Sequence, residues 1–186
     1  MDHTPRLFPD DAAVRHIGEG LIACTLARAE WTHEAHLAAC LYVVAERADL
    51  VAERDLPNLI RRFNESVGGV NDDTQGYHET ITQVSIRGVR AVLAATDAGL
   101  PLVSKVNALL LAEEGRRDWP LRFYSAEVLF SKEARLGWVE ADLAGCRGFS
   151  FGAVLPVTPP LPGPLPRGER GAWAGGELEL QAAVRL

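Results

Sequence analysis

The sequence predicts an all-α protein: a single-domain helical bundle of about five main helices plus short C-terminal helices, followed by a Pro-rich tail. First, apolar residues recur at the helical period in several stretches. Second, capping residues begin these stretches, and glycine or proline ends them. Third, no run of alternating apolar and polar residues is long enough to indicate a strand. We predict the helical domain over residues 1–145 and the tail over 146–186.

The first two helices are predicted from their caps. Asp10 or Asp11 can cap a helix that runs to about Leu26. Thr32 is a favourable N-cap for a second helix, which runs to about Ala48. The apolar stripe of the first helix comprises Val14, Ile17, Leu21 and Ile22.

Helices three and four follow from a proline and a glycine-rich loop. Asp55 precedes Leu56-Pro57 and predicts a helix start there, because proline is tolerated in a first helical turn. That helix ends before Gly68, where the loop "GGVNDDTQG" begins. The fourth helix is predicted to begin between Thr74 and Tyr77 and to continue to Thr96.

The last part of the domain contains shorter elements, and the tail differs in composition. A fifth helix is predicted over about 102–113, and Ser125 and Ser131 are expected to cap two short helices. The segment 152–171 holds six of the eleven prolines in the chain. We expect the tail to be extended or disordered. Two interpretations of the tail are open: a proline-rich ligand for a recognition module, or an accidental extension of the chain.

Composition limits the classes of partner. The net charge is −6 and no basic stripe occurs, so nucleic acid is not expected as a partner. The longest apolar run, 37–45, is far shorter than the roughly 20 residues of a spanning helix, and no secretory signal is evident. Three widely spaced cysteines indicate buried free thiols and a reducing cytoplasm. A small-molecule ligand is the expected partner, and a homo-oligomer is left open.

The stretch "EWTHEAHLAAC" contains two of the five histidines. His33 and His36 are three residues apart, so on a helix they lie on the same side. Two imidazoles could bind one metal ion, but tight transition-metal sites usually have three or four protein ligands. A third ligand is therefore required elsewhere in the chain.

The stretch "GYHETIT" supplies that candidate. If helices two and four pack with their N-terminal ends close, His78 can join His33 and His36 around a divalent transition metal such as zinc, iron or nickel. Glu79 would be a fourth ligand or a catalytic general base. Adjacent helical residues diverge by about 100°, so His78 and Glu79 reach one ion only in a loose first turn or through water.

Aromatic and charged neighbours suggest a substrate pocket. Trp31 and Tyr77 each precede a proposed ligand, and with Tyr124 they could form the wall of a cavity or only pack against helix ends. Arg135 could pair with a substrate carboxylate. Its more ordinary partners are three nearby acids, Glu127, Glu133 and Glu140.

The motifs "EWTHEAHLA" and "GYHETIT", with the later stretch "RFYSAEVLFSKEARLGWVEADL", resemble those of a family of small uncharacterised bacterial all-helical proteins. That family carries W-T-H-x-x-H-L and G-Y-H-E-T motifs. The resemblance covers about 14–144 and excludes the tail. It implies a bacterial one-domain helical protein whose histidine motifs belong together, and it implies no reaction.

Two functional hypotheses follow. The first is a cytoplasmic metal-dependent enzyme that acts on a small molecule through His33, His36 and His78, with Glu79 as base or ligand. The alternative is a non-catalytic helical protein that binds a small ligand or a partner, with the histidines in a buried hydrogen-bond network. The zinc-protease, nucleophile-elbow, phosphate-loop and dinucleotide motifs are absent from the sequence.

Overall fold

Helices account for most of the described chain, and the all-α prediction is confirmed. The computed structural model describes residues 4–143, which contain seven α-helices and no strand. Three short 3₁₀ turns connect them, at Arg28–Glu30, Glu113–Gly115 and Trp119–Arg122. The helices are α1 (Asp11–Ala23), α2 (His33–Glu46), α3 (Ala52–Ser66), α4 (Glu79–Ala95), α5 (Leu102–Leu111), α6 (Ala126–Leu129) and α7 (Lys132–Leu136). The predicted tail, 146–186, lies outside the described residues.

Helix α2 is the central element of the bundle. It buries ten of its fourteen residues, so it is enclosed on nearly all sides. Its neighbours are α1, α4 and α5, with a smaller contact to α3. A helix enclosed in this way cannot rotate without disrupting several interfaces, so the directions of His33 and His36 are fixed by packing.

The predicted caps are largely confirmed. Asp10 caps α1 by accepting from the backbone N–H of Ala13 at 2.8 Å. Thr32, Ser125 and Ser131 cap α2, α6 and α7 with their side-chain oxygens. Helix α1 ends before the predicted Leu26, because Cys24 has a left-handed backbone with φ of 56° that cannot continue a right-handed helix.

Helix α3 begins at Ala52, earlier than the predicted start near Asp55, and Pro57 lies inside it. Proline has no backbone N–H, so the carbonyl of Glu53 loses its usual helical donor. The side-chain amide of Gln83 in α4 donates to that carbonyl at 2.9 Å. The proline is therefore tolerated because a second helix supplies the missing hydrogen bond.

Helix α4 begins at Glu79, after the predicted start between Thr74 and Tyr77. His78 is its N-cap, and Nδ1 of this histidine accepts from the backbone N–H of Ile81 at 3.3 Å. Imidazole is not among the common capping groups, so this helix start is only weakly indicated by the residue types. His78 consequently lies outside the first helical turn.

A second, smaller core lies where α4 meets the C-terminal segment. Its buried members are Val84, Trp119, Phe123, Tyr124 and Leu129. Leu129 of the short helix α6 belongs to this cluster, and α7 packs against α4 and α6. This arrangement brings α7 to the start of α4, beside the loop that precedes it.

Close packing of α1 on α2 leads to a stability prediction. A Cβ atom added at Gly18 would lie 2.0 Å from Cδ1 of the buried Tyr42 ring. We expect Gly18→Ala to lower the free energy of unfolding by about 1–3 kcal/mol through overpacking. This loss should exceed the roughly 1 kcal/mol that alanine gains over glycine within a helix. Urea denaturation measures the difference.

Gly99→Ala is the control for that experiment. Its added Cβ would meet only Asp97 Oδ1 at 3.4 Å, in an exposed turn. We expect a change within about 0.5 kcal/mol. A Gly18→Ala protein as stable as the wild type would show that α1 and α2 are not packed this closely.

Candidate functional site

The main cavity lies between the start of α2, the second half of α3, the loop 69–78 and α7. Its volume is about 330 Å³, which is within the range of small-molecule sites. Five of the eight predicted site residues line it, namely Trp31, His36, Tyr77, His78 and Arg135. A smaller cavity of about 80 Å³ is adjacent, and the two share Trp31, His36, Ile60 and Thr82 as lining residues. The fold thus brings together site candidates from three separate segments of the sequence.

The loop that borders the main cavity is held in place by Asn71. Its Oδ1 accepts from the backbone N–H of Tyr77 at 3.1 Å and from the side chain of Asn64 at 2.9 Å. Its Nδ2 donates to the carbonyl of Arg61 at 3.1 Å. Gly76 adopts a φ of 76°, where a Cβ would lie 2.1 Å from the carbonyl oxygen of Val70. The cavity border is therefore ordered by hydrogen bonds within the protein.

Trp31 forms an aromatic wall of both cavities. Its ring lies 3.9 Å from the His36 ring and 5.0 Å from the Phe63 ring, centroid to centroid. Its Nε1–H is buried and has no hydrogen-bond partner among residues 4–143. An unpaired buried donor costs roughly 1–3 kcal/mol, so an acceptor inside the cavity would be favourable at this position.

His36 is half-buried between Trp31 and the cavities. Its Nδ1 lies 2.7 Å from the carbonyl oxygen of Thr32. A carbonyl can only accept, so Nδ1 carries the proton and Nε2 carries a lone pair. Desolvation lowers the pKa of His36 to about 4. The ring is therefore neutral at pH 7, and Nε2 is a hydrogen-bond acceptor with no partner among the described residues.

Both ring nitrogens of His78 are engaged by the backbone. Nδ1 accepts from the N–H of Ile81, and Nε2–H donates to the carbonyl of Leu129 at 2.9 Å. The ring is almost fully buried, and burial lowers the pKa of His78 to about 4. His78 therefore connects the start of α4 to the end of α6 and contributes mainly ring carbons to the cavity.

His33 lies on the smaller cavity. Its Nε2–H donates to the carbonyl of Gly115 at 2.7 Å, across 82 residues of sequence. This hydrogen bond holds the 3₁₀ turn Glu113–Gly115 against the start of α2. Each of the three histidines thus donates to a different backbone carbonyl.

The three histidines do not form a ligand cluster. Within residues 4–143, no group of three or more histidine, cysteine, aspartate or glutamate side chains is placed to hold a metal ion. The reason is that His33 is held by Gly115 and His78 by Leu129, in different parts of the fold. The sequence-based metal site at His33, His36 and His78 therefore gains no support from the geometry and stays a prediction.

Glu79 lines neither cavity. Its Oε2 accepts from the Tyr77 hydroxyl at 2.9 Å and its Oε1 from the Gln83 amide at 2.8 Å. Arg61 lies 3.6 Å from the same carboxylate and 4.0 Å above the Tyr77 ring. These contacts connect α3 to α4, and they do not direct Glu79 towards His36 or His78 as a base or ligand.

The remaining predicted residues separate into two groups. Tyr77 and Arg135 lie at the main cavity, and both are buried. Tyr124 lies in the second core, where its hydroxyl donates to the carbonyl of Val139 at 2.9 Å. The predicted substrate contact of Tyr124 is therefore unsupported, because its polar tip is used inside the core.

Several cavity residues were not identified from the sequence as site residues. Ile60 and Phe63 of α3 pack in the main hydrophobic core, and both also line the cavity. Their spacing on one helix was the available signal, although core packing gives the same spacing. The others include Arg28, Asn64, Val67, Val70 and Thr82.

No protein-family model, curated protein or solved structure matches the chain. In the described part of the chain, no helix has both the length and the apolar character needed to cross a membrane.

Metal content can be predicted from the histidine bonding. Both nitrogens of His78 and one each of His33 and His36 are already hydrogen-bonded. We expect purified, tag-free protein to retain far less than one equivalent of zinc, iron or nickel after dialysis, as measured by elemental analysis. One equivalent in the wild type that is lost in both His33→Ala and His78→Ala would instead establish the metal centre.

The buried His78 also predicts a pH effect. Its folded-state pKa of about 4 lies below the usual 6.5, so between these values the unfolded chain binds the extra proton. The stabilising contribution is present above pH 6.5 and is lost as pH falls through 4, by about 3 kcal/mol. We therefore expect the stability difference between wild type and His78→Asn to shrink from pH 7 to pH 4 in denaturation experiments.

Asparagine is chosen because it is itself a good N-cap. The His78→Asn variant therefore loses mainly the hydrogen bond to the Leu129 carbonyl and the packing of the imidazole ring. His16→Asn is the control, since His16 is an exposed residue of α1. At pH 7 we expect a change within about 0.5 kcal/mol for this control. A difference between wild type and His78→Asn that stays constant with pH would contradict the burial argument.

Proposed function

We propose that this protein binds a small organic molecule in the main cavity. The observation that carries the proposal is the convergence of Trp31, His36, Tyr77, His78 and Arg135, from distant parts of the sequence, on one cavity of about 330 Å³. Cavities of this size lie at the lower end of the range for small-molecule sites. The alternative predicted from the sequence, a ligand-binding helical protein, is thus favoured over the metal-dependent enzyme.

The lining has the mixture of surfaces that ligand sites use. One wall is apolar and comes from Ile60 and Phe63 of α3 and from Val67, the residue that caps its C-terminal end. Trp31 and Tyr77 add flat aromatic surface, and aromatic rings give large contact areas with little entropy cost. A ligand with a planar or apolar body would therefore fit these walls.

Two polar groups at the α2 end lack protein partners and could orient a ligand. The Trp31 Nε1–H is a buried donor, and Nε2 of neutral His36 is an acceptor; neither has a hydrogen-bond partner among residues 4–143. One hydroxyl group can accept from a donor and donate to an acceptor at the same time. A hydroxyl near this end of the ligand could donate to His36 Nε2, whereas the Trp31 donor would be satisfied only after its ring shifts towards the cavity.

A protein-observed NMR screen with small aromatic and aliphatic compounds tests the proposal. We expect bound compounds to shift the amide signals of Gly69 and Gly76 and the indole N–H signal of Trp31. The indole signal is a useful readout, because the Trp31 ring lines the cavity and a bound compound changes its surroundings.

A cavity-blocking variant makes the test specific. Val70 is 54% exposed and lines the cavity, so Val70→Trp should close the entrance without disturbing the core. We expect affinity to fall by at least about ten-fold, while melting changes little because the position is exposed.

Val51→Trp is the matched control. Val51 is 50% exposed and borders neither cavity. This variant should bind like the wild type. Equal affinity in both tryptophan variants, or no compound that shifts the three signals, would refute the proposed site.

A further inference from the structure

Arg135 is a buried cation at the main cavity. Its side chain belongs to a residue only 6% exposed, on the short helix α7. Its Nη1 donates to the carbonyls of Gly76 at 3.2 Å and Tyr77 at 3.4 Å. Those hydrogen bonds hold the loop before α4, but they use only one of the three guanidinium nitrogens. The Nε and Nη2 atoms make no hydrogen bond to residues 4–143.

Arg135 has no carboxylate partner in the described chain. None of the three acids expected from the sequence, Glu127, Glu133 and Glu140, lies within 4.0 Å of it. Asp72 is the acid that acts on it electrostatically, from beyond that distance. The Asp72 carboxylate is occupied by its own turn, where it accepts from Thr74 and Gln75.

The rest of the cavity does not neutralise this charge. Among its described lining residues there are two arginines, Arg135 and the exposed Arg28, and no aspartate or glutamate. The whole chain has a net charge of −6, so its acidic residues outnumber its basic ones. The described lining of this cavity shows the opposite balance. Such a local excess of positive charge favours an anionic ligand.

We infer that the ligand of this cavity carries a carboxylate, which binds the Nε–Nη2 edge of Arg135. The inference rests on the proposed ligand site. A guanidinium presents two parallel N–H donors that match the two oxygens of a carboxylate. The edge in question is the one that the protein leaves unused, since Nη1 faces the loop carbonyls.

A carboxylate fits better than a phosphate ester. One buried guanidinium balances one negative charge, and the other cationic side chain of the described lining, Arg28, is exposed. The other polar side chains of the lining already donate within the protein, so few further donors remain for a dianion; they are Asn64, Thr74, Gln75 and Thr82. The ligand class is therefore a small organic acid with a planar or apolar body.

Acid and amide pairs of the same shape test this inference. The wild-type full chain is titrated with acetate and acetamide, benzoate and benzamide, and 3-phenylpropionate and its amide, with inorganic phosphate as a further arm. Amide and indole NMR shifts report binding. In at least one pair we expect the acid to bind about ten-fold or more tightly than the amide, because hydrogen bonds between charged groups are the stronger ones.

Variants at Arg135 locate the effect. Arg135→Lys keeps a positive charge but loses the fork, so acid binding should weaken about ten-fold while amide binding is unchanged. Arg135→Gln should abolish the preference for the acid if the variant folds, and the lysine variant provides the test if it does not. Arg54→Gln is the control and should retain the preference, because Arg54 is an exposed residue of α3 that pairs with Asp55 and lines neither cavity.

Each failure has a separate meaning. If neutral compounds bind the cavity as tightly as their acids, or phosphate binds more tightly than every acid, the carboxylate inference is overturned and the ligand site stands. If folded Arg135→Lys binds acids like the wild type, or Arg54→Gln loses the preference, Arg135 is not the recognising group. If no compound of any charge shifts the cavity signals, the proposed site itself fails, and the inference fails with it.

Discussion

The two hydrogen bonds of the His78 ring are the constraint on which the site depends. Nδ1 caps α4 and Nε2–H holds the carbonyl of Leu129, so one side chain connects the central bundle to the C-terminal segment. That connection places α7 beside the loop 69–78, where Arg135 reaches the carbonyls of Gly76 and Tyr77. The arrangement requires a neutral ring, because a protonated Nδ1 could no longer accept from Ile81. Burial provides this neutrality by lowering the pKa of His78 to about 4.

Stability alone is a poor explanation for Arg135. Removing a cation from water costs several kcal/mol, and two long hydrogen bonds to carbonyls return only part of that cost. Burial accordingly lowers the pKa of this guanidinium. Apolar side chains often replace buried ionic groups with no loss of stability. The guanidinium has no carboxylate in contact among residues 4–143, and a bound anion at this cavity would offset that cost.

Local chemistry was sufficient to predict much of the fold from the sequence. Thr32, Ser125 and Ser131 are good caps because their side chains reach backbone N–H groups within three residues, and all three are confirmed. The helix starts that were misplaced depend on distant partners: Pro57 is accepted inside α3 because Gln83 of α4 serves the Glu53 carbonyl. The site shows the same limit. Sequence position indicated Trp31, His36 and His78, but the carbonyls that orient their rings, and the absence of an acid beside Arg135, arise only from tertiary packing.

Charge distinguishes the two functional hypotheses more sharply than the histidines do. Neutral imidazoles are compatible with either a metal ion or an organic ligand, and both His36 and His78 are neutral at pH 7. A divalent cation between them would share the cavity with the buried guanidinium of Arg135, and none of the described lining residues supplies a negative charge to screen that repulsion. A bound organic acid would instead be attracted to Arg135, because its carboxylate carries the opposite charge. The electrostatics of the cavity therefore favour a bound anion over a divalent cation.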